Sequence, residues 1–472
     1  MAASYTITPE MIRNLMSELN RRKLNLHSVL ISVDGEIKYE EYRAPFNVDY
    51  NHRMYSVTKS YVAIAIGCLK DEGKLKLDDP IIKYFPDKLP EVVPEEMQKQ
   101  TIRNMLMMNT CYTGFTWFLP GVVDRTAFYF AQKPTHPAGT LFHYDSTGSY
   151  VLGALVERLS GMKLIDYMKL KFLNELGGFE DAEILETADG VAWGDSALLC
   201  TTRAMEHFAR FVMQGGNWNG KQLVDPEYMK EATSCQITNA ENGCSLYNTY
   251  GYGYQIWMGE QGSYGFHGMG GQQVIIMPDK KLIFVCTGDN QYNMRYDDTL
   301  YDIVFRTLAP TNKKYESPSD MMVEEGVYTS DFADKINGVW YACKPNRQGI
   351  TRFRFTFSGD EGVFEYVNAQ GEKKLPFGFG HNVFGSFPQK GYSDQRGNVH
   401  DETSPFMLKC AVSACWREPQ KLFLRVQIID RYFGGTMMTF GFRDENTVGV
   451  VMHKVAEDFL QEYDGVFGAY RE

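Results

Sequence analysis

The sequence predicts an α+β chain in two parts: a unit of mixed helices and strands, then a β-rich, barrel-like C-terminal unit. Three observations predict it. Strand-like hairpins stand at both ends of a helix-rich middle, so early and late segments are expected to complete one sheet. The stretch Ala309–Gly326 is polar, holds two prolines and lacks periodicity, as a linker does. Beyond it, period-two alternation replaces the helical period. A length of 472 residues also exceeds one small domain. These signals place the units at residues 1–310 and 326–472, with 311–325 as the linker.

Along the chain, Thr8-Pro9-Glu10 reads as a helix start, with Met11, Leu15 and Leu19 on one stripe after it. Ser28 to Tyr42 reads as a hairpin, because VLISV and EIKYEEY flank Asp34-Gly35, a strong two-residue turn signal. SVTKSYVAIAIGCLKDEG comes next, apolar nearly all round from Tyr61 to Leu69 and stopped near Gly73. A helix with no polar face is buried between other elements. Helical patterns recur at Thr101–Met108, Tyr150–Leu159 and Thr202–Met213. A second hairpin is expected at Gln273–Thr287, turning at Pro278-Asp279. In the C-terminal unit, Phe353, Phe355 and Phe357 alternate with Arg352, Arg354 and Thr356, and Leu422, Leu424, Val426 and Ile428 alternate likewise. A turn is expected at Gly434-Gly435 and one short helix near Val455–Tyr463, the rest forming a small barrel or sandwich.

Composition narrows the function. Hydrophobic residues are 44% and charged residues 23%, with a mean hydropathy of -0.34, ordinary for a globular protein. The longest unbroken apolar stretch, Tyr61–Leu69, is far short of the roughly 18 residues a spanning helix needs, so no membrane is expected. A net charge of -11 and pI of about 5.4 argue against nucleic acid as a partner. Nine cysteines without a C-x-x-C pair read as buried free thiols, not a metal knuckle. The N-terminus lacks the apolar run of an export signal, which makes the cytoplasm the expected location.

Familiar catalytic signatures are absent or broken. Gly194-Asp195-Ser196 fails as a nucleophile elbow because Leu198 stands where the last glycine belongs. Gly215-x4-Gly220-Lys221 mimics a phosphate loop, but Gln222 replaces the residue that would hold magnesium. Ser56-Val57-Thr58-Lys59 is different, because it opens the buried apolar helix. Spacing i, i+3 puts both side chains on one face, one turn apart. A serine there feels the positive end of the helix dipole, and a desolvated lysine beside it can take its proton. Alternatively, Ser56 caps the helix and Lys59 snorkels to water.

MYSVTKSYVAIAIGCLKDEGKLKLDDPIIKYFP resembles the first motif region of the serine β-lactamase (class C) and penicillin-binding-protein superfamily. TIRNMLMMNT looks like the helix that comes after it there. PAGTLFHYDSTGSYVLGALVERLSGM is similar to the second motif region, with Tyr144-Asp145-Ser146 at the Tyr-x-Asn/Ser site. GGNWNGKQLV and YGYQIWM match further landmarks, and FHGMGGQ stands where the third motif belongs. The resemblance runs over about residues 10–308 with all three motifs in order. It implies an antiparallel sheet flanked by helices, plus a helical region. It further implies Ser56 as the acylated nucleophile, Lys59 as its proton acceptor, and Tyr144 as the phenol that shuttles protons, coupled to Lys59. Ser146 donates a hydrogen bond to substrate, or orients Lys59, or simply N-caps the helix beginning near Thr147.

The third motif departs from Lys-Thr-Gly. Gly268 reads as its glycine, and the Met269 N–H would join the Ser56 N–H as the oxyanion hole. No lysine stands at the first position, so the usual cation for a β-lactam carboxylate is missing. His267 either replaces it in part or is a structural ring beside a glycine turn. This form looks more like the 6-aminohexanoate-dimer hydrolase and esterase branch than true β-lactamases. The expected activity is therefore hydrolysis of a small ester or amide through a Ser56 acyl-enzyme, with no metal or organic cofactor. The alternatives are a D-amino-acid peptidase or amidase, a weak β-lactamase, or a non-catalytic binding or scaffold protein retaining the fold. The segments Cys111–Pro137 and Gln236–Thr249 are expected to shape the pocket. The β-rich unit resembles the lipocalin-like tails of other superfamily members and is expected to dock without adding chemistry.

Overall fold

The computed structural model describes residues 5–114, 119, 121–239, 249–293, 295–311, 321–392, 401, 403–456 and 459–472. Most of the expected linker, and the parts of the two pocket segments at 115–118, 120 and 240–248, lie outside them. Six strands form the N-terminal sheet: β1 (Leu26–Val33), β2 (Glu36–Tyr42), β3 (Trp257–Met258), β4 (Tyr264–Gly268), β5 (Gln272–Met277) and β6 (Leu282–Gly288). Their spatial order is β2-β1-β6-β5-β4-β3, antiparallel throughout. Asp34 (φ 52°) and Gly35 (φ 79°) both adopt the left-handed conformation that a tight hairpin turn demands. The early hairpin joins the late one through β1 and β6, with Leu30 opposite Val285.

Five helices frame this sheet and carry the site: α1 (Pro9–Arg21), α2 (Thr58–Asp71), α3 (Ser146–Ser160), α4 (Thr202–Met213) and α5 (Tyr296–Leu308). The Thr8 hydroxyl accepts the Met11 N–H and caps α1. Its Leu15 and Leu19 pack with Ile303, Val304 and Leu308 of α5 against one sheet face. The other face, through Leu30, Val274, Ile276 and Val285, meets a larger core built around α2, α3 and α4. Every α2 residue from Thr58 to Leu69 is buried, as its lack of a polar face requires. The helix expected at Thr101–Met108 is shorter, Ile102–Leu106. A reciprocal Thr101/Asn104 capping box opens it, and Met108 at φ 56° prevents its extension.

Ten strands form the C-terminal unit: β7 (Tyr341–Cys343), β8 (Arg352–Ser358), β9 (Glu361–Asn368), β10 (Gly371–Phe379), β11 (Val383–Ser386), β12 (Lys409–Glu418), β13 (Lys421–Ile429), β14 (Phe433–Asp444), β15 (Thr447–Ala456) and β16 (Gly465–Arg471). They run β10-β9-β8-β7-β16-β15-β14-β13-β12-β11, and a parallel pairing of Gly378 with Ser413 closes β10 onto β12. The result is a barrel filled by Phe353, Phe355, Phe364, Phe377, Phe440 and their neighbours.

Two expectations need correction. Gly434-Gly435 is not a turn but lies inside β14. A side chain at Gly435 would begin 2.0 Å from the Val426 carbonyl oxygen, so glycine serves close strand approach there. Val455 is in β15, and among the described residues the helical turn near it is Gln461–Tyr463. The end of the polar stretch lies against the barrel. Glu324 is buried, ion-paired with Arg425 (2.6 Å) and Arg417, and its N–H donates to Ser413 Oγ (3.1 Å). A carboxylate held by two guanidiniums ties this segment to the barrel wall.

Candidate active site

Ser56 sits in the 3-10 turn Tyr55–Val57, directly before α2. Tyr55, the residue before it, has φ 47°, a strained conformation for a bulky side chain. Its surroundings hold it there. The Met54 N–H donates to Leu198 O (2.8 Å), the Thr58 hydroxyl to Tyr55 O (2.6 Å), and the Leu198 N–H to Thr58 Oγ1 (3.1 Å). Lys59 lies one turn later and is 1% exposed, so the snorkelling alternative is excluded. Its Nζ donates to Ser56 Oγ (2.9 Å) and to the Asp195 carbonyl (2.8 Å), with the Asp195 carboxylate 4.0 Å away. The same Nζ lies 5.1 Å from the centre of the Tyr144 ring.

Tyr144 stacks on Trp257 with ring centres 5.4 Å apart and planes 22° apart. Met108, Phe142, Ile237 and Tyr252 build the cluster beneath that pair. The structure therefore brings Ser56, Lys59 and Tyr144 together, with Tyr144 arriving from a segment far along the chain. Ser146 is the first residue of α3 and not its cap. The cap is Asp145, whose Oδ1 accepts the Thr147 N–H (2.9 Å).

Burial pushes the Asp145 carboxyl up to about 6, against two helix N–H groups that favour its charge. An acid raised on folding stabilises most below its unfolded value near 3.8 and loses that contribution as pH rises toward about 6. Asp145→Asn keeps the capping oxygen and removes the charge. It should flatten that pH window in thermal melts and raise stability at pH 7 by on the order of 2 kcal/mol. A variant less stable than wild type at pH 7 would show that the charge itself is needed.

The third motif arrives on β4. A side chain at Gly268 would begin 2.3 Å from the Met54 carbonyl oxygen, so glycine lets β4 lie against the Ser56 turn. The Gly271 N–H donates to Gly268 O (3.2 Å). A trans peptide points its C=O and N–H in opposite directions, which turns the Met269 N–H outward from this loop. His267 packs edge-on to Trp257 at 6.0 Å. Burial pushes it down to about 3, so it is neutral near pH 7 and offers no fixed cation.

Several residues at the site are not among those the sequence predicts. Asp195, fully buried, faces Lys59 through both its carbonyl and its carboxylate. Gln272 is fully buried and donates to Met269 O (2.8 Å) and Gly288 O (2.9 Å), bracing the loop after Gly268. Gln255, at φ 56°, accepts from Ser149 of α3 (2.7 Å) and donates to Met105 O (2.9 Å). Its carbonyl also accepts from Ser60 of α2 (2.7 Å), joining the helix that carries Lys59 to the one just after Tyr144. Arg53 and Arg125 each lie against the Trp193 ring, at 4.8 and 4.9 Å.

Known proteins resemble this chain at low identity. It is 24% identical over 277 residues to 6-aminohexanoate-dimer hydrolase of Paenarthrobacter ureafaciens, covering 54% of this chain and 70% of that one. It is 28% identical over 197 residues to Esterase EstB of Burkholderia gladioli, covering 35% and 50%. The octameric penicillin-binding protein homologue of Pyrococcus abyssi superposes with a TM-score of 0.51 at 18% identity, over 98% of this chain and 99% of that chain. That likeness extends the shared fold across the barrel. Residues 12–308 match the family described as beta-lactamase, and the chain belongs to that family.

Proposed function

We propose that the protein is a serine hydrolase that cleaves a small ester or amide through a Ser56 acyl-enzyme. The observation that carries this reading is the 2.9 Å contact between Lys59 Nζ and Ser56 Oγ, in a setting where Lys59 is buried. Lys59, as the neutral amine, accepts the Ser56 proton as Oγ attacks the substrate carbonyl carbon. The Ser56 and Met269 N–H groups hold the resulting oxyanion. Collapse of the tetrahedral intermediate breaks the ester or amide bond, and Tyr144 delivers a proton to the departing oxygen or nitrogen. Water then attacks the acyl carbon, giving up its proton to the Lys59–Tyr144 pair, and collapse of the second intermediate expels Ser56 Oγ, which takes that proton back. Ser146 and His267 face the acyl or leaving group. No step needs a metal or organic cofactor. A serine, lysine and tyrosine gathered in this way, with the lysine buried, exceed what a scaffold protein requires.

The relatives named as a dimer hydrolase and an esterase favour esters and linear amides over β-lactams. So does the neutral His267, which gives a β-lactam carboxylate no cation at the third motif's first position. The test is a panel of p-nitrophenyl esters, amino-acid amides and nitrocefin, with a fluorophosphonate label mapped by mass spectrometry. We expect ester turnover, weak or no nitrocefin turnover, and label on Ser56. Efficient nitrocefin hydrolysis would overturn the carboxylate argument. An unlabelled, inactive protein would return the scaffold reading.

A further inference from the structure

The C-terminal barrel meets the N-terminal unit along a line of three glycines. Gly441 of β14 pairs with Gly449 of β15, which pairs with Gly468 of β16, so the three lie side by side across adjacent strands. Their neighbours Phe440, Phe442, Val448, Val450, Phe467 and Ala469 belong to the barrel core, so alternation turns the three glycine positions outward. What they face is the segment entering the second motif. A side chain would begin 2.0 Å from Thr140 O at Gly441, 2.2 Å from Thr140 Oγ1 at Gly449, and 2.8 Å from Pro137 Cδ at Gly468. Beside this seam Arg443 donates to Glu96 Oε2 (2.8 Å), the carboxylate oxygen that also accepts the Ala138 N–H (3.2 Å).

A second grip lies across the same cluster. Glu418 Oε1 accepts both the N–H (2.6 Å) and the hydroxyl (2.7 Å) of Thr238, while Lys421 donates to Thr238 O (3.2 Å). Both grips end one residue or so from the ring platform beneath Tyr144. Thr140 and Leu141 precede Phe142, and Thr238 comes directly after Ile237; Phe142 and Ile237 are members of the cluster that holds Trp257 and Tyr144. We propose that the barrel is a positioning element for Tyr144, clamping its platform from two sides and so setting its place in the proton relay. The kinetic part of this inference rests on the hydrolase function proposed for Ser56; the clamp itself does not.

The wedge Gly449→Val tests it in the full chain. Valine suits a strand, so the barrel is not penalised by propensity. Its side chain displaces Thr140, and misplacing a reacting group by about 1 Å costs on the order of 100-fold. Gly385→Ala, where a side chain meets nothing within 4 Å, is the control. We expect Gly449→Val to lower kcat for a p-nitrophenyl ester at least tenfold with little change in KM. In a Tyr144→Phe background it should cost less than twofold, because the group it misplaces is already gone. Amide hydrogen exchange should accelerate across residues 138–146 and stay unchanged across 58–71. Equal losses in both backgrounds, or unchanged exchange across 138–146, would overturn the clamp. If Gly449→Val does not melt cooperatively, Glu418→Gln enters the same cycle, and the same two outcomes decide for or against the clamp. An inactive wild type would sink the hydrolase reading alone, and the exchange measurement would still decide the clamp.

Discussion

Replacing Ser56 by alanine is expected to reduce ester turnover by about 10⁴-fold or more and to abolish the fluorophosphonate label. In the proposed mechanism every covalent step runs through Ser56 Oγ, so its loss would remove the reaction and not merely a contribution to it. What survives is attack by water on substrate held beside the oxyanion donors. The fold should not suffer. Lys59 loses one acceptor and keeps the Asp195 carbonyl at 2.8 Å, and the hydroxyl is not part of the network that pins the strained turn. The measurement is single-turnover acylation by a p-nitrophenyl ester beside a thermal melt of the same sample. Turnover above one hundredth of wild type in a variant of unchanged melting temperature would place the nucleophile elsewhere.

Lys59→Ala is expected to slow acylation by about 10²–10⁴-fold, the range for losing a general base. Tyr144→Phe should fall in the same range, and the double variant should lose little beyond the worse single one. The reason is geometric: Lys59 Nζ lies 2.9 Å from Ser56 Oγ and 5.1 Å from the Tyr144 ring centre, so the proposed proton path uses both groups. Lys59→Ala also removes the Nζ that donates to the buried Asp195 carbonyl and lies 4.0 Å from its carboxylate, so its melting temperature should fall too. Rates are therefore compared well below that midpoint. Losses that simply multiply would dissolve the shared relay into two independent contributions.

What could be read beforehand was what local pattern encodes. The i, i+3 spacing of Ser56 and Lys59 on an all-apolar helix is a one-dimensional signal, and helix geometry converts it directly into a 2.9 Å contact. The Asp34-Gly35 hairpin and the Thr8 cap are of the same kind. Tyr144 has no such local mark. One tyrosine among 29 became visible only because its flanking residues resemble a known motif. Asp195, Gln255 and Gln272 stayed hidden because their partners lie 136, 150 and 16 residues away in the chain, and a single polar residue does not announce a distant partner. Gly434-Gly435 shows the opposite failure. The dipeptide favours turns through its backbone freedom, yet here the missing side chain lets strands approach, a demand set by a partner strand and not by the local sequence.

The pairing of β1 with β6 has a consequence for how the chain comes to be folded. Leu26 meets Gly288 and Val33 meets Leu282, so during synthesis the β1–β2 hairpin waits for the last strand of its own sheet. At about 5–20 residues per second, roughly 250 intervening residues take about 10–50 s to synthesise. During that interval the β1 edge, with Val29, Leu30 and Ile31, has neither its neighbouring strand nor α5 to cover it. Loop closure over such a separation is slow, and exposed strand edges are sticky. Helix α2, which follows the Ser56 turn directly, is made early and its sheet is finished late, so a ribosome-bound chain short of β6 is an assembly intermediate with its candidate site unfinished.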